Sequence, residues 1–491
     1  MKWLRALRIG FLVCLTWSSV AHAQSWQPLN NQPSFGAATA LLLTDGKVMV
    51  QDSSGPNWWQ LTPDASGSYV NGTWALAAPL PSGYDPSAYA SAVLRDGRLI
   101  VEGGEYNFGQ IDWTNQGAIY DPRTNAWTVV PPPGGWNILG DAESVVLPDG
   151  TFMLANCCSF PFFAAMFDAK NLSWTITGAN KQDSYDEEGW ALLPDGTVLT
   201  VDTTNFITPT QAERYIPSTG SWISAGSTGV LLSDPATAEI GPMVLRPDGT
   251  VFATGANSNG AGHTSVYHPP KGPMQSGSWV PGPDIPGGND MADAPAALLP
   301  DGHVLCDTSP GFGNGPATFY EYDGAKFTQV PGPPNASRES SSSGTMLVLP
   351  TGQILFTDGS SDVEIYTSPG TPKRSWAPEI RHVHRELEPG RTFVIRGKQF
   401  NGLSQGAMYG DDTQTATNYP LVRITNRASG HVFYARTHDH STMAVATGDR
   451  EVFTYFDVPR GIERGEADLE VVANGIASRR VFVRVGEHED D

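Results

Sequence analysis

The chain has 491 residues, with 53 glycines, 39 prolines and a formal net charge of −21. That charge excludes nucleic acid and anionic membrane surfaces as electrostatic partners. The length admits two or three domains, and the turn-rich composition without any sustained helical period points to an all-β protein.

The first 23 residues read as a secretory leader. Lys2, Arg5 and Arg8 precede an apolar run from Ile9 to Val20, and Ala21-His-Ala23 supplies small residues for cleavage. Cys14 lies inside the apolar run, which disfavours a lipid anchor there. No later stretch is long and apolar enough for a membrane span. The expectation is an exported monomer, secreted or periplasmic. Three cysteines then remain, Cys157, Cys158 and Cys306. An odd count leaves one thiol free or intermolecular. The adjacent pair is either a vicinal disulfide or two buried thiols, and the second is favoured.

From residue 24 to 370 one hairpin pattern recurs. An apolar run meets Asp-Gly and leaves as a second, β-branched run, at Asp45-Gly46, Asp96-Gly97, Asp149-Gly150, Asp195-Gly196, Asp248-Gly249 and Asp301-Gly302. A further copy ends in Thr351-Gly352. Asp-Gly suits a two-residue turn, because Gly adopts positive φ freely and Asp tolerates it. The copies lie roughly 50 residues apart, the period of a four-stranded propeller blade.

After each hairpin comes a third strand with an aromatic and a fourth opening with Trp, as in Tyr120 and Trp127, Phe167 and Trp174, Tyr215 and Trp222, or Tyr267 and Trp279. Trp74 fills this place in the first blade and Phe327 in the sixth. Such side chains fill the wedge between blades. The last blade, about 341–366, lacks a Trp strand, and Ser25-Trp26-Gln-Pro-Leu29 can supply it, closing a seven-bladed ring without a free edge.

Residues 371–378 read as a Pro-containing linker. Short alternating strands follow over 379–486, at 392–396, 421–424, 431–434, 452–456, 469–472 and 481–485, which suggest an immunoglobulin-like sandwich. Residues 487–491 form an acidic tail.

Tyr419-Pro-Leu-Val-Arg-Ile-Thr-Asn426, Gly430-His-Val-Phe-Tyr-Ala-Arg-Thr437, Val445-Ala-Thr-Gly448 and Val472-Ala-Asn-Gly475 resemble the C-terminal domain of the galactose oxidase and glyoxal oxidase group. That resemblance implies a secreted kelch-type propeller joined to an immunoglobulin-like (E-set) domain. It also implies a copper held by two Tyr and two His, one Tyr thioether-linked to Cys and oxidising alcohols or aldehydes. Here Gly36 stands at the Cys position, Tyr89 is near the first Tyr position, and Ser340-Ser-Ser-Ser-Gly344 replaces the Tyr-His pair. The loop from Tyr409 to Asn418 contains Asp411, Asp412 and Gln414 but no His. The chain therefore reads as a relative without the copper-radical site, and an oxidase with rearranged ligands is the alternative.

Residues just before the innermost strands should ring one mouth of the channel. They include Asp141, Asp186, Glu187, Glu239 and Asp293, with Glu143, Glu188, Asp290 and Glu339 close by. Clustered carboxylates suit a hard cation such as calcium, or acid/base chemistry on a sugar. Loop aromatics, namely Trp58, Trp59, Tyr106, Trp113, Trp136, Phe160, Phe162 and Phe163, offer stacking faces for sugars. His438-Asp439-His440 places two imidazoles on one strand face, within reach of one metal ion, with His431 as a third candidate. A carbohydrate or cell-envelope ligand at an acidic, aromatic-rich mouth is the leading reading. Calcium or copper is the candidate ion.

Overall fold

The computed structural model describes residues 25–486 apart from 142, 159, 273, 411 and 412. The expected leader, the C-terminal tail, Asp411 and Asp412 lie outside the described residues. The fold is all-β and of propeller type, with only short 3-10 turns between strands among the described residues.

Six antiparallel sheets have four strands each, and a seventh carries a fifth strand at its inner edge. Sheet 1 runs Ala37–Leu42, Val48–Asp52, Trp58–Thr62 and Thr73–Leu76. Sheets 2 to 6 begin at Ala90, Ser144, Ala191, Met243 and Ala296 and repeat this meander. In sheet 7 the strands Thr345–Val348, Ile354–Thr357 and Glu364–Thr367 are completed by Ser25–Pro28, in the register Ser25↔Thr367 to Pro28↔Glu364. The first strand of sheet 7 lies beside that of sheet 1, so the sheets return on themselves.

Every repeat turns in the same way, but not in the way the Asp-Gly pair suggests. Leu43 N donates to Lys47 O and Gly46 N to Leu43 O. Gly46 has φ of 78° while Asp45 stays at negative φ. The turn is therefore a type I turn closed by a left-handed glycine, longer than the two-residue hairpin expected. Asp is selected for a different reason: its carboxylate accepts the amide two residues on, as in Asp45 with Lys47, Asp149 with Thr151 and Asp195 with Thr197.

The aromatic pairs sit where the wedge argument requires. Tyr120 is directly opposite Trp127, Phe167 opposite Trp174, and Tyr267 opposite Trp279. The indole N–H reaches back to the preceding repeat: Trp127 donates to Ala78 O, Trp174 to Pro131 O, Trp279 to Ala225 O and Trp26 to Pro331 O. Each tryptophan thus fills space and satisfies its one donor across the sheet boundary.

Residues 379–485 form further strands around a core of their own, including Ile395, Val422, Ile424, Val452, Phe456, Leu469 and Val483. All six expected strands are present, and Glu379–Val383 is an additional one. This part rests on the Asp-Gly turns. Tyr434 lies over Gly46, Arg436 donates to Asp96 O at 2.6 Å, and Thr442 donates to Pro148 O at 2.8 Å. From it, residues 404–410 and 413–418 run back into the ring. Ala407–Met408 pairs with Ala296–Ala297, Gln405 accepts Leu192 N, Gln414 O accepts Ser91 Oγ, and Tyr409 donates to Ser342 O.

Two predictions concern ring closure. Trp26 packs edge-on against Phe319 and Phe356, 5.1 and 5.5 Å between centroids. Trp26→Ala should lower unfolding free energy by about 3 kcal/mol, read from the denaturant midpoint. Glu364, beside the closing strand, is pushed from an ordinary value of 4.5 up to about 9, first by burial and then by Asp362 and Asp358. The folded chain therefore keeps a proton that the unfolded chain releases, and stability falls as pH rises from 4.5 towards 9. Glu364→Gln should raise the melting temperature near pH ~8 and leave it unchanged near pH ~4.

Candidate functional site

The mouth is the end of the ring away from the Asp-Gly turns, where first strands begin. Residues there share an unusual backbone. Ala88, Glu187, Ala238 and Asp293 have φ between 47° and 70°, and Gly140 has φ of 71°. A left-handed residue before the first strand turns the chain sharply at the channel rim. For non-glycine residues that conformation is uncommon and costs conformational energy.

Glu187, Glu239 and Asp293 come from sheets 4, 5 and 6, and each offers a carboxylate oxygen within 4.8 Å of the others. Glu239 and Asp293 are buried, Glu187 half-buried. Beside them, Asp141 and Asp186 flank Cys157 and Cys158, again with one atom from each residue within 4.8 Å of the rest. The two cysteines form a vicinal disulfide, which corrects the expectation of two buried thiols. Cys157 is buried, Cys158 exposed, and Cys158 Sγ lies 3.3 Å from Asp186 Oδ1. Cys306 is a free, buried thiol whose pKa is raised by burial and by Asp307. Burial, then Glu105, Asp141 and Glu239, raise the Tyr106 hydroxyl, which puts that ring in the field of both carboxylate sets.

The segment 181–188 that carries Asp186 and Glu187 is fixed from below by a buried cation. Lys181 Nζ is paired with Asp183, with Glu188 Oε1 at 2.6 Å, with Glu213 Oε2 at 2.9 Å and with Asp202 Oδ1 at 3.8 Å. It also lies 5.5 Å from the Tyr185 ring and 5.8 Å from the Trp222 ring. Trp222 departs from the inter-sheet rule, since its indole donates to Tyr185 Oη at 2.9 Å. Burial raises the carboxyl pKa values of Glu188, Asp202 and Glu213, Asp202 to about 7, while Lys181 opposes the rise and is itself held protonated by the four acids. Further bonds lock the segment: Glu188 N to Glu143 Oε1 at 2.8 Å, Thr204 N to Asp183 Oδ2 at 3.1 Å, and Thr203 Oγ1 to Asp186 O.

The structure brings Asp141, Asp186, Glu187, Glu239 and Asp293 to one mouth, and separates most of the other candidates from it. Trp58 is wholly buried against Trp127 of sheet 2, 5.6 Å between centroids, so it offers no stacking face. Trp59 stacks on Phe35 at 4.7 Å. Tyr89 is buried and donates to Gln51 Oε1 at 2.6 Å. Trp136 is half-buried, its carbonyl held by Asn115. Trp113 and Phe160 are exposed, by 42 % and 85 %, and Trp113 adjoins Gly140 of the rim.

The two histidines bond to different partners. The strand Val432–His438 ends at the first, and Asp439 at φ of 48° breaks the alternation. His438 is held between Asp439 at 2.7 Å and Asp457 at 3.2 Å. His440 is buried, bonds Thr454 at 2.8 Å, and has its pKa lowered to about 3, chiefly by burial. His431 pairs with Glu463 at 2.6 Å.

At the positions matching copper-radical ligands, a Cβ at Gly36 would collide with Ser53 Oγ and Gly359 O, leaving no room for a cysteine. Ser341–Ser343 forms a 3-10 turn, with Ser309 and Ser341 hydroxyls 2.8 Å apart.

No family model matches the chain. A segment of 86 residues is 31% identical to the Kelch-like protein terF of Aspergillus terreus, spanning 17% of this chain and 18% of that protein. A structure described as a novel fungal alcohol oxidase of the AA5 family in complex with copper aligns over 95% of this chain and 100% of its own, with TM-score 0.52 and 16% identity. The structure of YjhT aligns over 62% of this chain and 99% of its own, with TM-score 0.42 and 14% identity. The fold is therefore similar to that of the fungal AA5 alcohol oxidase, and the chain shares a Kelch-like segment with terF.

Removing the cation under the mouth leaves several buried acids without their counter-charge. Lys181→Met should cost about 3–5 kcal/mol of stability, measured as a shift in urea midpoint.

Proposed function

We propose that this chain is an exported, monomeric binding protein. In this reading a seven-bladed propeller over residues 24–370 and an immunoglobulin-like domain over 379–486 take a hydroxyl-rich glycan of the cell envelope at the acidic mouth. The observation that carries the reading is the convergence of Glu187, Glu239 and Asp293 from three successive sheets. Three carboxylates so close disfavour one another's charged forms, and a bound cation relieves that repulsion. All-oxygen donors suit a hard ion such as calcium. Such an ion accepts sugar hydroxyls in its remaining positions, while the exposed Trp113 and Phe160 offer apolar faces for the ring.

The blocked site at Gly36, the engaged Tyr89 hydroxyl and the serine turn at 341–343 support a chain that does not hold a copper-radical centre.

Equilibrium dialysis with calcium, followed by binding to cell-envelope polysaccharides with and without calcium, tests the proposal. Calcium should bind, polysaccharide binding should need it, and Glu239→Gln with Asp293→Asn should weaken both at least tenfold at unchanged melting temperature. Unchanged binding in that variant would refute the role of the mouth. Peroxide release on alcohols or aldehydes after copper loading would replace binding by oxidation.

A further inference from the structure

We propose that Cys157 and Cys158 form a redox-gated site for a thiophilic divalent metal such as zinc, closed as the disulfide and opened by reduction. This site is separate from the Glu187 triad and does not depend on the glycan reading.

The bridge has little structural purpose. A disulfide stabilises mainly by closing a loop in the unfolded chain, more for longer loops, and neighbours in sequence enclose almost no loop. The fold holds the pair in place by other means. Asn156 donates to Ile138 O at 2.9 Å, and Cys157 N donates to Leu139 O at 3.2 Å. The dithiol form therefore leaves the sheet intact.

The surroundings fit the reduced pair better than the oxidised one. In the disulfide, Cys158 Sγ has no proton, yet Asp186 Oδ1 sits 3.3 Å away. A thiol there donates to that oxygen, so reduction turns a contact without a proton into a hydrogen bond. Asp141 joins them, and oxygen, sulfur, sulfur and oxygen all lie within 4.8 Å of one another. Two thiolates and two carboxylates form a four-ligand set of the kind that holds zinc. Exposure of Cys158 at the mouth gives an external thiolate access to its sulfur.

The chemistry balances with a dithiol reductant. Its thiolate attacks Cys158 Sγ and breaks the bond to Cys157, whose sulfur takes a proton. The second reductant thiol displaces Cys158, leaving a cyclic disulfide and two protein thiols. Zinc then binds both sulfurs as their two protons pass to solvent, with the Asp141 and Asp186 carboxylates completing the set. While the disulfide persists, as expected of an oxidising compartment, neither sulfur is available as a thiolate.

The test compares the full-length chain, oxidised and after reduction with dithiothreitol and anaerobic desalting, in titrations with cobalt as a spectroscopic substitute for zinc. The reduced form should bind one cobalt per chain with a thiolate-to-metal charge-transfer band, displaced by zinc, and the oxidised form should show no such band. Asp141→Asn with Asp186→Asn should weaken binding to the reduced form at least tenfold. Absence of the band after thiol assay confirms reduction, or equal affinity in the double variant, overturns the proposal. The oxidised-against-reduced comparison uses the unaltered chain and needs no variant to fold.

Discussion

The mouth of this protein rests on one buried ammonium group. Lys181 is enclosed by Asp183, Glu188, Asp202 and Glu213, and without it the interior of sheet 4 would be a concentration of negative charge. Burying ions is expensive, and attraction offsets it when geometry is good and remaining donors are satisfied. The return is positional. Residues 181–188 are tied at both ends and in the middle, so Asp186 and Glu187 leave a rigid base. Even the tryptophan of this repeat is diverted to Tyr185 beside the ammonium.

Repetition built the scaffold, and departures from repetition built the site. The Asp-Gly turns, the aromatic opposite each outer-strand Trp and the glycines are nearly interchangeable among sheets. The rim residues are not: Ala88 and Ala238 are small, while Glu187 and Asp293 carry charge in a similar left-handed conformation. A ring fold presents such residues from different sheets to one axis, so chemistry changes by substitution at the rim without altering the core.

Much of this was legible in the chain. Local periodicity revealed the hairpins, because each turn is set by a glycine and an aspartate within a few residues. The partner of the last sheet was legible as well, since Trp26 stood where a fourth strand lacked its tryptophan. Aligning the turns also brought the mouth carboxylates together. Facts set by distant contacts were less visible. Trp58 looked like a loop aromatic, yet it is buried because its strand faces the next sheet. His438 and His440 obeyed alternation on paper, but Asp439 ends the strand between them. The Lys181 cluster left one signal: Lys181 is the lone basic residue between Lys170 and Arg214, in a stretch rich in acids. The place of Cys157 and Cys158 beside Asp141 and Asp186 had no local signature, since three separate segments meet there.

The described residues of 404–410 and 413–418 tie the C-terminal part to the inner strands of the ring. They enter from the side of the Asp-Gly turns, bond to sheets 2, 4, 6 and 7, and bring Gly410 against Asp293 and the carbonyl of Ile240. The inner edge of sheet 6 is therefore not bare: Ala407–Met408 pairs along it, and any change in the C-terminal part that displaced this strand would also move Gly410 and the Asp293 backbone that it touches.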